Sequence, residues 1–313
     1  MATIRAFTRA GVHVTPTLSD QLEEMPHWML QLAGIDLRLP TLCCMPPTYL
    51  PNVDGRLWCV TMFEAESIPD AWVPILNERC ERVIVPCEQN ARVFRACGVT
   101  VPVHVIHGGT DPEEFPVARR EVSGNPYTFM CLGDRGSRKG QDLVWRALWN
   151  AFGNSDDVRL IIKCLPDSMK CVDEKSSDWR IRFWHDEVES MSSVYREADC
   201  FVFPSRGEGW GMPPREAAMM GLPTIVTRYA GLEVGADDWA IPVDSYKLES
   251  SVLLKGGMWA SADVDELAEK MIWCYENQDA AKEFGLQASR WLRDNQTWDQ
   301  SVEQWVKLLE EVA

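Results

Sequence analysis

A chain of 313 residues with 46% hydrophobic content is long enough to bury two cores of ordinary size. Its formal net charge of −16 repels phosphate backbones and anionic membranes on average, so a nucleic acid or membrane partner would need a local basic patch, and small-molecule chemistry is favoured. Eleven cysteines, an odd number with irregular spacing and no C-x-x-C pair, exclude a simple disulfide framework or Cys/His metal centre and point to reduced thiols. The opening stretch MATIRAFTRAGVHV lacks the apolar core of a signal peptide, and no run reaches the ~18 apolar residues of a spanning helix, which predicts a soluble, cytoplasmic protein.

In chain order, residues 34–39 and 57–62 read as short strands, 71–80 as a helix, 83–85 as a strand, 89–96 as a helix and 103–106 as a strand. The polar stretch 111–126, with Pro112, Pro116, Gly124 and Pro126, reads as a linker. Strands are then expected at 127–132, 158–164, 181–184, 200–203 and 224–227, alternating with helices at 141–152, 191–197 and in PPREAAMMG. Residues 264–313 read as helices alone. Alternating strands and helices define an α/β chain with parallel, doubly wound sheets.

The densest chemical signal is FVFPSRGEGWGMPPREAAMMGLPTIVT, residues 201–227. A strand ends at Phe203, a glycine-rich loop follows, and a helix opens near Pro213. Ligands of parallel sheets bind at the carboxyl ends of strands, where helix N-termini present unpaired N–H groups, so the amides around Gly211 and Met212 suit a diphosphate. Glu208 in the loop and Glu216 one turn into the helix are costly carboxylates unless something donates to them, and sugar and ribose hydroxyls are suitable donors. Taken singly, Glu216 also fits a helix-dipole role and Glu208 a solvated loop residue. A second signal, CLGDRGSRKGQDLVWRAL at 131–148, places Arg135, Arg138 and Lys139 at the end of a strand, where cations neutralise charge developing on a leaving diphosphate. Arg138 is read as a solvated surface group.

The E-x7-E spacing from Glu208 to Glu216, followed by AAMMGLPTIVT, resembles the donor-site motif of retaining GT-B glycosyltransferases, particularly glycosyltransferase family 4. The resemblance implies two Rossmann-like domains facing a central cleft, with a reduced N-terminal domain. It implies that Glu208 contacts the transferred sugar, that Glu216 contacts the nucleotide ribose, and that Gly209, Trp210, Gly211 and Met212 meet the sugar and diphosphate. Lys139 matches the family's R/K-K-G lysine, and Arg135 stands one step past the usual arginine position, which Asp134 occupies. TMFEAESIPDAW and VIVPCEQNARVFRACGVTVPVHVIHGGTDPEEF resemble the family's first domain more loosely. Thr61, Glu64, Glu66 and His107 follow strand ends there and are acceptor-side candidates, with a structural role the alternative for His107 and His104 and a solvated one for Glu66.

The implied organisation is an acceptor-side domain over 1–120, a donor-binding domain over 121–290, and a helix over 291–313 packing back on the first domain through a stripe of Trp298, Val302, Trp305, Leu308 and Leu309. The implied reaction is retaining transfer from a nucleoside diphosphate sugar, used as co-substrate without metal or other cofactor, to a hydroxyl acceptor. No Asp-x-Asp metal motif occurs; Asp237 and Asp238 are adjacent. The acceptor and the donor base stay open, a nucleic acid acceptor being disfavoured by charge. The glycine-rich loop expected early in the first domain is absent, Gly11 being its nearest counterpart. Alternatives are a nucleotide-sugar epimerase or phosphorylase of related fold, and a non-catalytic nucleotide-sugar-binding module.

Overall fold

The computed structural model describes residues 2–12, 40–50, 56–118, 126–133, 137–164, 178–251 and 257–312. The strand expected at 34–39 and the candidate Arg135 lie outside the described residues.

Two parallel sheets form the frame. The first runs β1 (Thr41–Cys44), β2 (Leu57–Val60), β3 (Arg82–Val85), β4 (Val103–Val105) in simple sequential order, with helices Trp72–Arg79 and Glu88–Ala96 as crossovers. In the second, β5 (Tyr127–Leu132) pairs on one side with β6 (Val158–Lys163), which pairs with β7 (Ile181–Trp184). On its other side lie β8 (Cys200–Phe203), β9 (Thr224–Thr227) and β10 (Ile241–Val243), giving the order β10-β9-β8-β5-β6-β7. The chain therefore reverses direction across the sheet between β5 and β8, and a crevice opens there beyond the strand ends. Strands β8 and β9 are buried at every residue, as apolar runs covered on both faces must be.

Each sheet has a core on both faces. Leu143, Val144, Leu148, Leu160 and Met271 fill one side of the second sheet, and Phe115, Phe201, Phe203, Met219 and Trp239 the other. On the first sheet, one face is closed by Leu76, Val83 and Phe94. The opposite face is closed by a helix from the far end of the chain, Trp298–Val312. Its Val302, Trp305 and Leu308 pack on Trp58, Ile84 and Ile106, together with Ala6 and Phe7 of the helix Ala2–Arg9. The chain thus crosses between the two sheets twice. The crossings touch, Thr110 bridging to Thr297 and its amide donating to the carbonyl of Gln296 at 2.9 Å.

Several elements differ from the sequence reading. The stretch 111–126 does run between the two sheets, but its described part is packed: Phe115 is buried against Tyr195, and Arg293 donates to its carbonyl at 2.9 Å. A hairpin of β11 (Tyr246–Ser250) and β12 (Met258–Ala262) was not expected; it lies against the first domain, the amide of Glu66 donating to Met258 O at 2.9 Å. Strand β1, strand β10 and the helix Ala2–Arg9 are likewise additions. Gly11 follows that helix at φ +75, outside any strand-to-helix loop, so it is no substitute for the missing glycine-rich turn. Among the described residues no helix is long and apolar enough to cross a membrane.

Candidate functional site

Adjacency of β5 and β8 brings together two loops separated by about seventy residues of chain. After β8, Ser205 and Arg206 are buried and Glu208 is 7% exposed. After β5, Arg138 and Lys139 precede the helix Gln141–Phe152. Oε1 of Glu208 accepts from Lys139 Nζ at 2.6 Å, from Ser205 Oγ at 2.8 Å and from Arg138 Nη1 at 3.0 Å. Arg138 Nη1 also donates to Gly207 O at 2.8 Å. Arg138 is therefore a member of the cluster rather than the solvated group expected from the sequence; its position one residue before Lys139, on a loop folded over Gly207, removes it from bulk water. Lys139 in addition stands 5.0 Å from the Phe203 ring centroid. Charge-assisted bonds of this kind are short and strong, and they fix both loops before any ligand arrives.

Arg206 holds the same loops from behind. It forms a paired contact with Asp142 at 2.8 Å on both oxygens, donates to the carbonyl of Ser137, and reaches Glu249 of the hairpin at 3.0 Å. Sequence reasoning passed over Ser205 and Arg206, although both stand between the strand and the glycine-rich loop.

The helix Met212–Met219 points its N-terminus into the crevice. Gly211 caps it at φ +80, where a side chain would be strained and would also meet Leu232. Met212 is exposed. Trp210 is buried, its indole over the Arg215 guanidinium at 3.8 Å and 5.2 Å from His107, so its backbone and not its ring faces the loop. Arg215, which the sequence reading also missed, is fully buried. It donates to the carbonyls of Trp210, Gly211, Gly231 and Val234 and to Gln296 Oε1 at 2.7 Å, and lies against Trp239 as well. Burial pulls its pKa down to about 9. Its position inside the E-x7-E stretch is the signal that was available.

Glu216 lies on the same helix, away from the Glu208 cluster. Its Oε2 accepts from the hydroxyl of Tyr195 at 2.8 Å. Burial raises its pKa to about 7, the Tyr195 bond pulling the other way. The same burial and the neighbouring carboxylate push the Tyr195 phenol up.

The first domain meets this crevice through residues 61–66. Asn90 clamps that loop, its side chain accepting from Phe63 N and donating to Phe63 O, both at 2.9 Å. Glu64 is thereby held over the second domain: its carboxylate lies 3.9 Å from Arg138 Nη1, and its carbonyl sits so near Gly207 that a Cβ there has no room. Gly209 lies against Met62. Burial raises the Glu64 pKa, nearby Arg138 lowering and Glu208 further raising it. Glu66 accepts from Tyr229 and from Gln89 at 3.3 Å, so it is a bonded group although it is exposed. Thr61 is buried, its amide extending the β-ladder to Ile84 O at 3.0 Å.

His107 and His104 stand apart from the cluster. His107 is fastened at the crossing: Nδ1 donates to Pro86 O at 3.1 Å, the amide to Gln304 at 3.0 Å, and its carbonyl accepts from Ser301 at 2.6 Å. Burial lowers its pKa. His104 Nε2 meets Arg82 Nη1 at 2.9 Å. The structure thus brings together Glu208, Lys139, Arg138 and Glu64, sets the helix N-terminus and Glu216 along the same crevice, and leaves both histidines in structural contacts.

Comparison with known proteins agrees with this architecture. Residues 126–277, just under half of the chain, match the family described as glycosyl transferases group 1. Mannosylfructose-phosphate synthase of Agrobacterium fabrum is 28% identical over 151 residues, covering 42% of this chain and 33% of that protein. The lipopolysaccharide core biosynthesis mannosyltransferase LpsB of Rhizobium meliloti is 24% identical over 213 residues, 56% of each chain. Alr3699/HepE of Anabaena, solved in complex with UDP and glucose, shares the fold at a TM-score of 0.65 and 15% identity, over 82% of this chain and 72% of that one. The fold is that of GT-B glycosyltransferase structures, and residues 126–277 carry the likeness to glycosyl transferases group 1. The chain spans from a third to just over half of the length of the two curated relatives.

Proposed function

We propose that the protein moves a sugar from a nucleoside diphosphate sugar to a hydroxyl acceptor with retention of anomeric configuration, as the glycosyltransferase family 4 motif implies. The observation that carries this is the meeting of Lys139 and Arg138 with Glu208 beside the N-terminus of Met212–Met219, at the point where the sheet order reverses. A diphosphate there finds helix amides and two cations, and Glu208, freed from one of its three donors, accepts from the transferred sugar. Glu216 keeps one oxygen bonded to Tyr195 and offers the other to the ribose. UDP bound in a structural neighbour supports the nucleotide reading, and the cysteines among the described residues, all free, support a cytoplasmic setting.

Two results follow. Because two side-chain cations and the helix N-terminus supply the neutralising charge, turnover persists in excess EDTA; loss on chelation with recovery on Mg²⁺ or Mn²⁺ contradicts the proposal.

The glutamates differ in kind. Glu208→Gln chiefly lowers kcat, a contact strengthened in the transition state being lost, whereas Glu216→Gln weakens binding of the free nucleoside diphosphate, which has a ribose and no sugar. Glu216 accepts ribose hydroxyls best as the carboxylate, and its pKa of about 7 makes the ionised fraction fall as pH falls. Calorimetric affinity for UDP is therefore expected to drop about tenfold from pH 8 to pH 6 in the wild type beyond any drop in Glu216→Gln. Parallel pH dependence in both proteins removes Glu216 from the ribose site, and loss of UDP binding in Glu208→Gln alone reverses the assignment.

A further inference from the structure

The N-terminal end of the helix Met212–Met219 is short of donors. Its second and third residues are Pro213 and Pro214, which carry no N–H, so of the first three residues only Met212 offers an amide to a ligand. Further donors must come from the turn before the helix, where the direction of each amide depends on what its peptide's carbonyl is tied to. Beneath that turn lies Arg215, on the same helix and without solvent exposure. Its Nη1 donates to the carbonyls of Trp210 and Gly211, the latter at 3.2 Å, and its Nη2 to Gly231 O at 2.9 Å. The Gly231 amide in turn donates to Glu208 O at 3.0 Å. Arg215 Nε is anchored on Gln296 at 2.7 Å, and the guanidinium lies 3.8 Å from the Trp210 ring centroid and 4.6 Å from that of Trp239. One buried group thus holds the turn from Glu208 to Gly211 from beneath.

We propose that Arg215 is the positioning residue that aims the Gly211 and Met212 amides at the donor diphosphate, a role that rests on the glycosyltransferase reading above. In a trans peptide the C=O and the N–H that follows it point in opposite directions. The Trp210 carbonyl shares its peptide with the Gly211 amide, and the Gly211 carbonyl with the Met212 amide. Tying both carbonyls to a buried guanidinium therefore turns both N–H groups to the other side of the turn, where the helix N-terminus opens on the crevice. Gly211, left-handed at φ +80 and followed by a helical residue, lets two successive amides face the same way and form a concave anion site. Arg215 touches no ligand and acts through the backbone. Its charge, close enough to be supported by Glu208, lies in a medium that screens weakly.

The test separates the diphosphate from the rest of the nucleotide. UDP, GDP and ADP are screened for a rise in melting temperature, and the best is carried into calorimetry, with its nucleoside followed by saturation-transfer NMR. Arg215→Lys keeps a positive charge but not the fork that holds several carbonyls at once. It is expected to weaken the nucleoside diphosphate by about tenfold or more while the nucleoside stays within about twofold of wild type. Equal weakening of both ligands makes Arg215 a structural brace for the domain, and unchanged diphosphate affinity shows that the turn aims its amides without it; either result overturns the proposal. A measurement on the wild type covers the case in which the variant does not fold. With the methionine amides isotopically labelled and Met212→Leu identifying the resonance, the Met212 amide proton is expected to move downfield on addition of the nucleoside diphosphate but not of the nucleoside. A Met212 amide that ignores the bound diphosphate overturns the proposal as well. A wild-type protein that binds none of the three nucleoside diphosphates overturns the glycosyltransferase reading itself.

Discussion

Lys139→Ala is expected to lower turnover by about a hundredfold or more, the cost of removing one preorganised charge partner from a developing diphosphate. The side chain is 16% exposed, so its ammonium acts in a medium where charge is weakly screened. It lies within 2.6 Å of Glu208 and above the Phe203 ring, contacts that hold it at the crevice before ligand enters. Truncation leaves Glu208 with Arg138 and Ser205, so the loop keeps two of its three donors and the fold survives. Diphosphate release from the donor, measured alongside circular dichroism, decides the matter. If Lys139→Ala retains turnover within about threefold of wild type while Arg138→Ala does not, the leaving group is met by Arg138 instead.

Arg215→Met should produce the largest loss of stability. Methionine conserves much of the apolar stem but takes the guanidinium donor away from the carbonyls of Trp210 and Gly231 and from the Gln296 amide oxygen, in the buried interior, while Val234 O keeps the Trp239 indole N–H. Each orphaned buried acceptor costs about 1–3 kcal/mol, and with partial relaxation a total near 3 kcal/mol or more is expected. That corresponds to a fall of roughly 6–12 °C in the unfolding midpoint. Scanning calorimetry with and without UDP provides the measurement. A midpoint unchanged within about 2 °C means the carbonyls find other partners and the clamp is dispensable.

The fold was legible where burial on both faces leaves an uninterrupted apolar run. Strands β5, β8 and β9 fall where the sequence puts them, because their side chains have almost no solvent face to interrupt the pattern; the edge strand β7 and the helix Gln141–Phe152, which carry exposed residues, also fall where expected. The hairpin is different. Every residue of β11 is exposed, so no hydrophobic alternation marks it, and β12 is fixed by contacts with Glu66 and Arg206 from distant parts of the chain. Strand β10 is three residues long and contains Pro242, which argues against a strand until its edge position is known.

The candidate site divides along the same line. The glycine-rich loop, the E-x7-E spacing and the lysine after β5 are local patterns, and the crevice between β5 and β8 contains them. The partners are not local. Arg138 looks like any basic loop residue until β5 and β8 are set side by side; Tyr195 reaches Glu216 only through packing of two helices; and Arg215, though inside the E-x7-E stretch, is seen to lie beneath the loop rather than on the helix surface only once the chain is folded.

The paired crossings at Thr110 and Thr297 also set an order of events during synthesis. The second sheet and its helices come from one continuous stretch, 127–295, and can complete their core as that stretch leaves the ribosome. The first sheet cannot, because the cluster of Trp58, Ile84 and Ile106 is incomplete until Val302, Trp305 and Leu308 have been made. The usual progression, with the earlier domain finished before the later one, is therefore inverted. In the interval the nascent chain displays part of an apolar sheet face, so a nonsense or frameshift lesion just before Val302 leaves an intact second sheet and an aggregation-prone first one.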